Sequence, residues 1–115
     1  MSQPRDMLLL DKKTENEIYD YLPNSMNIEG LCELYTVFSD PTRLRILSVL
    51  SLSELCVTDI SRLLNINQTT VSHQLHNLNR MGLVRSKRQG KIKFYKISDI
   101  VVSKLLYYGV EYLGY

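Results

Sequence analysis

Apolar positions along this chain recur mostly three or four residues apart, the spacing of helices that bury one face. Ile18, Tyr19, Tyr21 and Leu22 predict a weakly amphipathic helix over residues 12–22, stopped at Pro23. A second stripe, Ile28, Leu31, Leu34, Tyr35 and Phe38, predicts a helix capped by Asn27. Asp40-Pro41 supplies a side-chain acceptor and then a proline where no backbone donor is needed. A third helix therefore starts there, burying Leu44, Leu47 and Leu50 and ending near Leu52. Ser53 to Val57 has the length and composition of one brief strand. Thr58 is placed to cap a short helix carrying Ile60, Leu63 and Leu64, and Asn65-Ile66-Asn67 makes a tight turn. Asn67 caps the next helix, with Val71, Leu75 and Leu78 inward and Met81-Gly82 closing it. The period then changes. Leu83 to Arg88 and Lys91 to Ile97 predict two strands joined by Gln89-Gly90, and Ser98 caps a final helix.

The chain is thus mainly α with a small β-hairpin, an α+β composition. Two helices across a tight turn, followed by a hairpin, is the layout of a winged helix-turn-helix. At 115 residues there is material for one core of modest size. No apolar run reaches membrane-spanning length, and Met7-Leu8-Leu9-Leu10, flanked by Asp6 and Asp11, is too short for a secretory signal. No membrane partner is expected. Two cysteines, Cys32 and Cys56, build no disulfide framework, which fits a reducing, cytoplasmic compartment. No Gly-rich phosphate loop and no nucleophile beside a base is recognisable, so neither an enzyme nor a cofactor is expected.

Charge changes the picture. Between Ile60 and Ser98 stand eight basic residues and no carboxylate: Arg62, Arg80, Arg85, Lys87, Arg88, Lys91, Lys93 and Lys96. The other six Lys and Arg share the rest of the chain with all twelve Asp and Glu, so a formal +2 hides a segment at +8. A polyanion would meet that segment, not the net charge. Lys87, Arg88, Lys91 and Lys93 surround the hairpin tip, where they can neutralise phosphates; lysines guarding a solvated edge strand are the bland alternative. The helix from Asn67 to Met81 is the complement, with no charge before Arg80. Its outward positions include Gln68, Thr69, Thr70, Ser72, His73, Gln74 and His76. Such side chains both donate and accept hydrogen bonds, as base edges in the major groove require. Its capped N-terminus offers amides to a phosphate. A merely polar surface helix is the alternative.

Four segments then carry a resemblance. Val37-Phe-Ser-Asp-Pro-Thr-Arg-Leu-Arg-Ile-Leu, Ser53-Glu-Leu-Cys-Val-Thr-Asp-Ile, Val71-Ser-His-Gln-Leu and Gly82-Leu-Val-Arg-Ser-Lys-Arg-Gln-Gly-Lys stand in order and at matching spacing. From about Leu31 to Tyr112 the chain closely resembles the ArsR/SmtB winged-helix repressors. The resemblance implies a homodimer through the first and last helices, seated on double-stranded operator DNA and released by an effector. It also implies that the Asn67 to Met81 helix enters the major groove. Apolar residues on the last helix point to a partner independently: Val101, Leu105, Tyr108 and Tyr112 form one stripe, and Val102, Leu106, Gly109 and Leu113 the next. Residues 1–11 are then a flexible tail and residues 12–115 a DNA-binding and dimerisation domain.

The effector is unknown. Metal-sensing relatives often carry Cys-x-Cys where this chain reads Cys56-Val57-Thr58, with Asp59 as one further candidate ligand. They add Cys or His from the N-terminal region, and residues 1–30 hold neither. Zinc sensors carry Asp-x-His and a later His and Glu in the last helix; here Asp99-Ile100-Val101 keeps only the Asp, and Tyr112 and Tyr115 stand later. His73 and His76 are two ligands where a tetrahedral zinc needs more. No metal site is expected. An alternative function is a thiol-based repressor answering oxidant or reactive sulfur through Cys32 and Cys56, against the plain reading of both as small hydrophobes. A more remote one is a winged helix that binds protein. Tyr107, Tyr108, Tyr112 and Tyr115 fit interface packing, or an organic effector.

Overall fold

The computed structural model describes residues 9–115, apart from the side chain of Ser25, so most of the expected tail lies outside the described residues. The chain divides into two compact units, one reaching to Tyr35 and one from Thr36 to Tyr115.

In the first unit, α1 spans Lys12–Tyr21, and Asp11 caps it by accepting from the Thr14 amide at 2.7 Å. Hydrogen bonding from the Thr14 side chain, and then from its amide, favours the charged carboxylate and holds Asp11 below its ordinary pKa of 3.8. The second helix, α2 (Ser25–Ser39), begins in this unit and crosses into the next. Its cap is Asn24, which accepts from the Asn27 amide at 2.9 Å; Asn27, expected as the cap, is already helical because Pro23 releases the chain two residues earlier. The expected buried stripe is also corrected. Ile28, Leu31 and Tyr35 are exposed, Leu34 and Phe38 half-buried, and Val37 is the residue sealed inside.

The second unit is built on α3 (Pro41–Leu50), α4 (Val57–Leu64), α5 (Gln68–Arg80) and α6 (Ile100–Leu113), with β1 (Leu55–Cys56), β2 (Val84–Gln89) and β3 (Ile92–Ile97). Asp40 caps α3 through the Arg43 amide at 2.9 Å, with Pro41 in the first turn. The inward stripe of α3 is Ile46, Leu47 and Leu50; Leu44, expected inside, lies about a third of a turn away and faces out. Thr58 does not cap α4. Cys56 sits at the cap with no side-chain bond, because pairing of Leu55 and Cys56 to β3 hands the chain directly into the helix. Leu63 is accordingly exposed while Ile60 is fully buried.

The antiparallel sheet has the order β1-β3-β2. The expected hairpin is present with its turn one residue later: Gln89 pairs with Ile92, leaving Gly90-Lys91 as the loop. Gly90 has φ +65° and Lys91 is not in the positive-φ region, the pattern of a two-residue turn with glycine first. Ser98 does not cap α6; Asp99 does, accepting from Val101 at 2.9 Å, while the Ser98 hydroxyl donates to the Gly82 carbonyl at 2.6 Å. Val71, Leu75 and Leu78 of α5 are fully buried with Ile46, Leu47 and Ile60. Fully burying residues of this kind stabilises by about 1.5–3 kcal/mol each, which fixes α5 and turns its remaining faces outward. Among the described residues no helix is long and apolar enough to cross a membrane.

Candidate nucleic-acid interface

Asn65 ends α4 in the left-handed conformation at φ 53°, and three residues later α5 begins. Asn67 caps it, its Oδ1 accepting from the Thr69 amide at 2.7 Å and from Thr70 at 3.4 Å. The turn is braced by the Ser61 hydroxyl, which donates to the Ile66 carbonyl. This places Gln68, Thr69, Thr70, Ser72, His73 and His76 in the open on α5. Gln74 is different: it is half-buried on the flank of the core stripe and accepts from Arg43 Nε at 3.0 Å. Neither residue signal predicted that contact.

The hairpin follows α5 after Gly82, and α5 packs against β2. Lys87, Arg88, Lys91 and Lys93 are all exposed, as are Arg85 and Lys96. The register sets Arg85 opposite Lys96 and Arg88 opposite Lys93. Like charges placed directly across a ladder repel. A bound anion relieves that repulsion, so the hairpin stores a preference for one. Lys93 Nζ lies 5.4 Å from the Tyr95 ring centre, which steers its stem along the strand. One acid does reach the hairpin. Glu54, just before β1, lies 3.9 Å from Lys87, although the basic segment itself contains no carboxylate. With both side chains about half-exposed this pair is a weak surface bridge. Strand alternation around Leu55 and Cys56 was the available signal for it.

Cys32 is exposed on α2; Cys56 is half-buried and its thiol lies 3.3 Å from Asp59 Oδ2. Among the described residues no three of His, Cys, Asp or Glu group closely enough to hold a metal ion.

Comparison with known proteins agrees with this geometry. The family model described as bacterial regulatory protein, arsR family, matches residues 40–86. The transcriptional repressor SmtB homolog of Synechocystis is 36% identical over 108 residues, covering 90% of this chain and 82% of that protein. The cadmium resistance transcriptional regulatory protein CadC of Listeria innocua is 35% identical over 79 residues, or 68% of this chain and 66% of its own length. Among solved structures, the AntR antimony-specific transcriptional repressor superposes with a TM-score of 0.73 at 28% identity, covering 98% of this chain and 94% of that one. The chain belongs to the ArsR/SmtB family of winged helix-turn-helix, DNA-binding transcriptional regulators.

Proposed function

We propose that two copies of this chain form a cytoplasmic repressor that holds double-stranded operator DNA, with α5 in the major groove and the hairpin tip on flanking phosphates. The observation that carries this reading is the division of labour on one surface. An uncharged, fully polar helix face adjoins a hairpin whose like charges confront one another. Gln68, Thr69, Thr70, Ser72, His73, Gln74 and His76 are the base-reading candidates, because amide and hydroxyl groups match donors and acceptors in the major groove. Lys87, Arg88, Lys91 and Lys93 hold phosphates and fix the register.

The dimer rests on α6 and α1. On α6, Val101, Tyr107, Tyr108, Tyr112 and Leu113 are exposed, and only Val102 is buried. Ile18, Tyr19 and Tyr21 are exposed on α1. So much apolar surface on terminal helices calls for a cover, and a second copy supplies it by two-fold symmetry. A thiol switch, the second reading, would run through exposed Cys32 before Cys56, whose thiol is half-buried against Asp59.

Selection from a random-sequence duplex library tests the proposal. A repressor of this form enriches a pseudo-palindrome with half-sites about 34–36 Å apart, one helical turn. Recovery of unrelated sequences, or binding indifferent to salt, points instead to a protein-binding module.

A further inference from the structure

Both histidines of the chain stand on α5, and they share one line along it. Thr69, His73, His76 and Arg80 fall at i, i+4, i+7 and i+11, and all four are exposed. The buried stripe of Val71, Leu75 and Leu78 has the same spacing, two residues out of step. At about 100° per residue, that offset puts the line on the side of the helix away from the core. The imidazoles therefore sit on the crest of the helix proposed to enter the groove.

Among the described residues neither imidazole takes part in a hydrogen bond or an ion pair. The elements that meet α5 bring mostly cations: Arg43 and Arg45 on α3, Arg62 on α4, and Arg85, Lys87 and Arg88 on β2. Arg80 adds one more, a turn along from His76 on the same crest. The acid on those elements, Asp59 on α4, already accepts from the Cys56 thiol at 3.3 Å. Neighbouring cations oppose a charged imidazole, whereas a polyanion favours it. Histidine is also the side chain whose charge ordinarily changes between about pH 5 and pH 8. An imidazolium donates from both ring nitrogens, while the neutral ring donates from one and accepts at the other. Donors alone suit phosphate oxygens and the O6 and N7 acceptors of guanine.

We infer that operator binding is proton-linked: His73 and His76 take up protons from solvent when the crest of α5 meets the duplex, so affinity rises as pH falls. This rests on the proposed place of α5 in the groove and adds a second ligand, the proton, that accompanies the DNA. Linkage fixes the sign. The bound state carries more protons than the free state, so acid favours binding until both states are fully protonated. Two rings in each of two copies set the ceiling at four protons per dimer.

The test uses the operator selected from random duplexes. Affinity is measured at constant ionic strength between about pH 6 and pH 8, the span in which imidazoles titrate. Calorimetry in two buffers of different ionisation enthalpy counts the protons. Wild-type affinity is expected to rise at least about tenfold from the upper to the lower pH, as one fully linked proton gives over one pH unit. The salt slope steepens toward the acid end as more phosphate charge is neutralised. H73Q and H76Q each remove part of the uptake. The double variant, whose amides hydrogen-bond but do not titrate, abolishes both the uptake and the pH dependence. These side chains are exposed, so folding is not at stake. A flat wild-type profile overturns the inference, and so does uptake that persists in the double variant. T69A tells that failure from a failure of the α5 reading. If T69A changes base preference while the profile is flat, α5 stays in the groove and only the proton is removed. If neither T69A nor the histidine variants change any binding to DNA, both readings fall.

Discussion

Single side chains set the start of α5, the proposed reading helix, and the balance of charge beside it. Asn67 satisfies two amides of the first turn of α5, so N67A is expected to destabilise the protein by about 0.5–2 kcal/mol in chemical denaturation. Among the described residues, Glu54 is the acid that reaches the hairpin. Neutralising it releases Lys87, and E54Q is predicted to tighten binding to every duplex, specific or not, by up to about fivefold at low salt, the scale of an exposed ion pair. Anisotropy titrations on two unrelated duplexes check this; a gain on only one of them contradicts it. Asp11 gives a pH prediction. Its folded pKa is depressed, so the stability its cap lends to α1 is present above 3.8 and lost as pH falls through the folded value. The Thr14 amide resonance should therefore titrate with a midpoint below 3.8. A midpoint at or above that value would remove the cap from the account.

At the level of elements, the hairpin and α5 are separable devices. K91E with K93E is expected to weaken all duplexes alike, because phosphate contacts carry no base information. Changes at Gln68 or Thr69 are expected to alter which sequence is preferred. The sequence made these devices legible where one strong local signal acted alone: the Asp40-Pro41 start, the Asn67 cap, the Val71, Leu75 and Leu78 stripe. It was less legible where two neighbours competed for one role. Thr58 lost to Cys56 because strand pairing set where α4 begins, and Ser98 lost to Asp99 because its hydroxyl was already committed to Gly82. Gln74 looked outward by composition, yet Arg43 across 31 residues holds its oxygen. No local pattern in α5 reports that contact, although an arginine on the apolar stripe of α3 hints at it.

The whole molecule carries a deficit and an excess. Too little of α6 is covered within one chain, and too much positive charge is gathered on one hairpin. In the proposed repressor a second copy answers the first and DNA the second. Tyr108 and Val101 are exposed in the single chain, so V101E with Y108E should leave folding intact while converting a sedimenting dimer to a monomer. The most direct test of the account is the salt dependence of binding to the selected operator and to an unrelated duplex. It is measured for the wild type, a Lys91→Ala variant and a Thr69→Ala variant. Loss of Lys91 should lower the salt slope by about 1 for each phosphate contact removed and leave the ratio between the two duplexes unchanged. Loss of Thr69 should shrink that ratio and leave the slope alone. The opposite pattern, with the hairpin setting preference and α5 setting salt dependence, would contradict it.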